Sequence, residues 1–175
     1  MPLNHIVQKI GMEYDDNGNI ARKGTLHQAL FNTLNQLEYY KLGFPKSTGY
    51  EWFIGEILTL LDSTEISDSD ALHTFIHHNC FQIAKALTRH TEKKENTVFV
   101  TGGGAYNGFF TDTLQKHLGD SFSLKIPSHT LIGFKEAVVF ALMGVLRLKN
   151  EINVLSAVTG AAKDSCSGVI FHPNP

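Results

Sequence analysis

Cysteine is scarce in this chain: only Cys80 and Cys166 occur, far apart. Two such thiols suit a reducing compartment and two unpaired side chains, not a disulfide scaffold. A charge imbalance is missing too. Fifteen Lys and Arg stand against 17 Asp and Glu, for a formal net charge of -2, so composition gives no electrostatic footprint for nucleic acid or an anionic membrane. The apolar runs are too short to span a bilayer. Met1–Gly11 reads as an amphipathic helix, without the basic start and apolar middle of a secretory leader. Internal repeats and low-complexity stretches are lacking. What remains, 42% hydrophobic and 18% charged residues over 175 positions, describes one domain of a globular protein or one lobe of a larger enzyme.

The first part, residues 1–96, reads as mainly helical. Leu3, Ile6, Val7 and Ile10 fall at helical spacing. Asp15–Asn19 is a turn whose side chains bond local backbone; it resembles the start of a calcium loop but lacks glycine at the sixth position and glutamate at the twelfth. Thr25 is the expected cap of a helix running to Leu37. Tyr39–Gly49 is a loop, and Tyr50–Leu61 a helix. Ser67 caps a long helix reaching Arg89, with Asp68 and Asp70 in its first turn and Leu72, Phe75, Ile76, Cys80, Ile83, Ala84 and Leu87 along its apolar stripe. On the same helix His73 and His77 stand four apart, a spacing that can hold a metal; without Glu between them or a third ligand they read as a polar shoulder. Glu92–Asn96 is a charged turn.

From Thr97 onward strands and helices alternate, which argues for an α/β layer over residues 97–175. Thr97–Thr101 reads as a buried strand, Asn107–Leu118 as a helix, Phe122–Ile126 as a strand and Gly133–Leu148 as a helix. The last is apolar almost all round its middle and is expected to be buried on more than one side. Gly168–Phe171 reads as a final strand. Strand content is low for a complete doubly wound sheet.

The most informative stretch lies at the first strand's end, Thr101-Gly102-Gly103-Gly104-Ala105-Tyr106-Asn107. A strand that feeds a glycine turn and a helix start presents backbone to a nucleotide in α/β proteins. Glycine removes the side chain that would hold a ligand away and tolerates positive φ. The run is neither a GxGxxG fingerprint nor a P-loop, and a tight turn without a ligand fits it as well.

That stretch resembles the adenosine motif of anhydro-N-acetylmuramic acid kinases, members of the sugar kinase, Hsp70 and actin superfamily. Three further segments are similar to the family's in order: Pro45-Lys46-Ser47-Thr48-Gly49 with Glu51 and Phe53; Gly133-Phe134-Lys135-Glu136-Ala137 with Phe140–Val145; and Asn153-Val154-Leu155 with Ala157–Ala161. Leu3-Asn4 resembles the segment that follows the family's phosphate-binding aspartate motif. There are departures. Tyr50 stands where the family usually has Arg, and neither the MSGTSxDG phosphate loop nor the FDxGPxN segment occurs. The resemblance therefore covers the C-terminal lobe only, with the N-terminal lobe absent. It implies a helix-rich α/β lobe of the actin-like ATPase (ribonuclease H-like) fold with a small mixed sheet.

The resemblance also implies a cytoplasmic role in cell-wall recycling, with ATP and Mg as cofactors and an amino sugar as substrate. By resemblance, Thr101, Gly102, Gly103 and Gly104 pass close to adenosine and its phosphates. Asn107 either touches ribose or phosphate or is a plain helix cap. Glu136 matches a glutamate that bonds the amino sugar; otherwise it is a first-turn acid favoured by the helix dipole. Lys46 can reach a phosphate or the sugar carboxylate, or sits in an exposed loop. No catalytic base and no metal ligand are assigned here; both are expected on the missing lobe, and the lobe alone is expected to be inactive. A non-catalytic nucleotide-binding or interaction fragment, homodimeric through bare apolar helix faces, is the alternative, as is another amino-sugar kinase of the superfamily.

Overall fold

A computed structural model describes residues 2–43, 46–89, 91 and 94–171. Pro45 of the Pro45–Gly49 segment and Glu92–Lys93 of the charged turn lie outside the described residues. The chain divides into two compact units, Met1–Ile126 and Pro127–Pro175.

The first unit is built on one long helix, α5 (Asp68–Arg89). Ser67 starts it as expected: its Oγ accepts from Asp70 N at 3.1 Å. The apolar stripe packs inward, with Leu72, Ile76 and Cys80 fully buried. Helices α1 (Pro2–Lys9) and α2 (Gln28–Asn35), a 3-10 turn at Ala21–Lys23 and helix α6 (Gly108–Leu118) all pack on it. The expected Tyr50 helix is present but not uniform. It runs as α3 (Tyr50–Trp52), a π-helical Phe53–Leu58 and α4 (Thr59–Ser63), and it buries Phe53, Ile57 and Leu61.

Thr25 does not cap α2. His27 does, its Nδ1 accepting from Leu30 N at 3.2 Å. Thr25 instead donates its N–H and hydroxyl to Asp70 Oδ1. These bonds and that from Ser67 hold the Asp70 carboxyl below the usual range. A fold-level contact has outcompeted the local cap.

Strands β1 (Asn96–Phe99) and β2 (Phe122–Lys125) pair in parallel, Val98 opposite Leu124. The small mixed sheet expected from the resemblance is, among the described residues, this parallel pair alone. Nor is β1 buried: Asn96 and Val98 are half-buried, while Thr97 and Phe99 face solvent. A two-stranded sheet has too few neighbours to cover both its faces.

In the second unit, helix α7 (His129–Leu148) begins four residues before the expected Gly133, because Ser128 Oγ accepts from Leu131 N. Just past its end, Asn150 takes the left-handed conformation at φ 58°. The expectation of burial on several sides fails: of α7 only Ile132 is buried, and Phe134, Val138, Phe140, Leu142 and Leu148 are exposed. Among its described residues the unit holds one further helix, α8 (Ser156–Thr159), and one antiparallel bridge, Val154 to Ser165. That is too little material to cover a helix of this length. Gly168–Phe171 is not a strand; Gly168 O accepts from Arg147 Nε at 2.8 Å instead. Asn153 ties the unit together, donating Nδ2 to Met143 O and Ser167 O and accepting from Ser167 N.

Among the described residues no helix is long and apolar enough to cross a membrane.

Candidate functional site

Strand β1 delivers the chain to the glycine loop, and the pairing continues one step past the strand through Val100 N to Lys125 O at 2.9 Å. Gly102 then adopts φ 79°, ψ -172°, a conformation open essentially to glycine alone. A 3-10 turn, Gly103–Tyr106, follows, and Asn107 starts α6. A Cβ built on Gly102 or Gly103 meets nothing within 4 Å, and one on Gly104 comes no nearer than 3.8 Å, to the Phe110 ring. The loop is therefore bare on the side where side chains would stand.

It borders a cleft of about 710 Å³ within the first unit. Gly103, Gly104, Tyr106 and Asn107 form one wall, Tyr14–Asn17 another, and α1 and α5 contribute Asn4, Phe75 and Asn79. That volume is in the range of small-molecule sites. The bare loop on its rim fits a ligand that needs close backbone approach, as a nucleotide does.

Of the residues expected to bind nucleotide, Gly103, Gly104 and Asn107 line the cleft; Thr101 and Gly102 lead into it without lining it. Asn107 is a helix cap, its Oδ1 accepting from Phe110 N at 2.9 Å, which leaves the Nδ2 group for a ligand. Lys46 is elsewhere. Its ammonium donates to Tyr39 O at 3.0 Å and Leu42 O at 3.2 Å and lies 4.6 Å from the centre of the Tyr39 ring. Glu136 lies exposed on α7 in the second unit. Because α7 starts at His129, Glu136 stands two turns in, outside the first-turn position where the dipole would favour an acid.

Tyr14, Asp16, Asn17, Asn4 and Asn79 also line the cleft. The polar turn at Asp15–Asn19 was the available signal; nothing local marks Asn4 or Asn79, which reach the cleft only through helix packing. Asp15, buried in that wall, accepts with both carboxylate oxygens from backbone, from Ile20 N at 2.8 Å and Ala21 N at 2.9 Å. Among the described residues no three His, Cys, Asp or Glu are grouped to hold a metal ion.

His73 and His77 stack with ring centres 4.7 Å apart, and His77 Nδ1 lies 3.3 Å from His117 Nε2. His73 Nδ1 donates to Ala21 O. Burial, then the neighbouring His73, push the His77 pKa down to about 4.

Residues 3–173 match the family described as anhydro-N-acetylmuramic acid kinase. The chain belongs to that family. Anhydro-N-acetylmuramic acid kinases similar to it include one from Hydrogenovibrio crunogenus, 30% identical over 95% of this chain and 46% of its own length. Those of Vibrio cholerae, 30% identical over 92% of this chain and 44% of its own, and Hahella chejuensis, 31% identical over 90% and 43%, are alike. The chain thus spans about half the length of the curated kinases it matches. The open glycine loop lies inside the matched region.

Proposed function

We propose that this chain is the nucleotide-binding C-terminal lobe of an ATP-dependent sugar kinase of the actin-like ATPase fold. The kinase cleaves the 1,6-anhydro ring of anhydro-N-acetylmuramic acid with water and transfers the ATP γ-phosphoryl to O6. The product, N-acetylmuramate 6-phosphate, belongs to cytoplasmic peptidoglycan recycling. The observation that carries this reading is the bare loop Gly102–Gly104 on the rim of a ligand-sized cleft, in a chain of this family.

In this reading the loop amides and the Asn107 Nδ2 receive the nucleotide, and the absent side chains at Gly103 and Gly104 let it approach. Glu136 accepts hydrogen bonds from the amino sugar. Lys46, which bonds the carbonyls of Tyr39 and Leu42 in the absence of ligand, is on this reading a substrate-side residue. Phosphoryl transfer is mostly positioning and charge stabilisation. Magnesium neutralises phosphate charge in such reactions, and here its ligands, like the base that activates water, come from polypeptide outside this sequence. The exposed apolar face of α7 supports the same division of labour, since such surfaces mark interaction sites. It also favours a second reading, a fragment that binds nucleotide without turnover and dimerises through that face.

Calorimetry with ATP, joined to a phosphotransfer assay with anhydromuramate, tests the proposal. The chain should bind ATP, lose that affinity at least tenfold in Gly103→Val, and show no turnover alone. Turnover by the chain alone refutes the half-enzyme reading, and absence of ATP binding refutes the nucleotide site.

A further inference from the structure

The turn Asp15–Asn19 and the start of α6 grip each other across 91 positions of sequence. Asn17 Oδ1 accepts from Gly108 N at 2.9 Å. The fit is reciprocal. A Cβ on Gly108 would run into the Asn17 carboxamide, and a Cβ on Gly18 would run into the Asn107 carboxamide and come within 2.5 Å of Phe109 Cβ. Each side thus has a glycine where the other side has an asparagine. The turn is itself rigid: Asp15 holds Ile20 N and Ala21 N, Gly18 N donates to Asp15 O, and Asn17 sits at φ 54°. Asparagine tolerates that left-handed conformation better than most residues.

The glycine loop is therefore held at both ends. Its first end continues from the paired strand β1. Its last end is Asn107-Gly108, and the partner that fixes it from outside the loop is Asn17. We infer that Asn17 is a positioning residue for nucleotide binding: by holding the Gly108 amide it sets where Gly103, Gly104 and Asn107 stand in the cleft. This inference rests on the nucleotide reading of that cleft. Two amides of the first turn of α6, those of Gly108 and Phe110, are already satisfied by Asn17 and Asn107. The nucleotide then depends on the loop ahead of the helix, whose placement the tether governs. Small displacements of such elements are costly to binding and reaction. The Asn17–Gly108 bond lies at the exposed surface, so water replaces it when it is lost and overall stability changes little.

Asn17→Gly keeps the left-handed backbone and removes the acceptor; Asn17→Asp keeps an acceptor of the same length. Wild type and both variants are compared by calorimetry with ATP and with uncharged adenosine, and by amide hydrogen exchange over residues 102–108. Asn17→Gly should weaken adenosine binding about tenfold and speed exchange of the segment, with a melting temperature within about 3 °C of wild type. Asn17→Asp should restore adenosine affinity to within about twofold, since the acceptor is what the tether needs. Adenosine and ATP affinities unchanged in Asn17→Gly overturn the inference, as does a loss that Asn17→Asp leaves unrestored. If wild type binds neither ATP nor adenosine, the nucleotide reading falls and this inference with it.

Discussion

The Tyr40 hydroxyl donates to His78 Nε2 at 2.9 Å inside the first unit. The direction follows from the rest of the network. Asn35 Nδ2 donates to Phe31 O, so its Oδ1 is the acceptor for His78 Nδ1 at 2.8 Å and for Gln82 Nε2 at 2.8 Å. That puts a proton on His78 Nδ1, and because burial disfavours the charged ring, His78 is neutral and its Nε2 accepts. One imidazole joins α5, α2 and the 3-10 turn Glu38–Tyr40, and burial pushes its pKa down to about 4 and that of Tyr40 up to about 12.

This network makes stability depend on pH. The unfolded chain takes a proton on this imidazole below about pH 6.5, and the native chain only below about 4. Stability should therefore fall as pH drops, by about 1.4 kcal/mol per pH unit from His78 between those limits. His77 acts in the same sense and, being half-exposed, adds less. Asp70 and Asp164, held low by hydrogen bonds, are lost only further down. Urea unfolding at pH 7.5 and pH 5.0 should show about 2 kcal/mol less stability at the lower pH. Equal stability at the two would show that His78 is not buried neutral.

Glycines with nearly the same positive φ should respond differently to alanine. Gly11 and Gly18 have φ 76° and 72°. A Cβ on Gly11 meets open space, whereas one on Gly18 meets Asn107 and Phe109. Gly11→Ala should cost about 1 kcal/mol, the left-handed penalty alone. Gly18→Ala should cost about 3 kcal/mol because overpacking is added. Denaturant midpoints measure both, and similar losses would contradict the close fit of the 15–19 turn against α6.

The two thiols should separate cleanly in a labelling experiment. Cys80 is 0% exposed, donates to Phe110 O at 3.6 Å, and has its pKa pushed by burial up to about 12. Cys166 is half-exposed and free. A thiol reagent at pH 7.5 should modify Cys166 within minutes and Cys80 only as the chain unfolds. Early modification of Cys80 in the native protein would contradict the packing of α5 against α6.

Elements whose causes lie within a few residues were legible in advance. The α5 stripe, the Ser67 start, the Asp15–Asn19 turn, the glycine loop and the Asn107 cap all follow from spacing, capping chemistry and glycine. Less legible were features set by competition between distant groups. Thr25 has the chemistry of a cap, but Asp70 offered its N–H and hydroxyl a charged acceptor, and His27 took the cap instead. The apolar circumference of α7 was visible, yet whether anything covers it is not a property of that helix. Lys46 has the chemistry to reach a phosphate, and the carbonyls of its own loop claimed it.

Sequence alone determined the local grammar: where glycine frees the backbone, which side chains start helices, and the family whose motifs recur in order. Tertiary structure decided the partnerships. It set Asn17 against Gly108, emptied the space around Gly103, and left α7 facing solvent. The reason is physical: caps and turns draw on neighbours along the chain, whereas a cleft exists only where segments far apart in sequence are brought face to face.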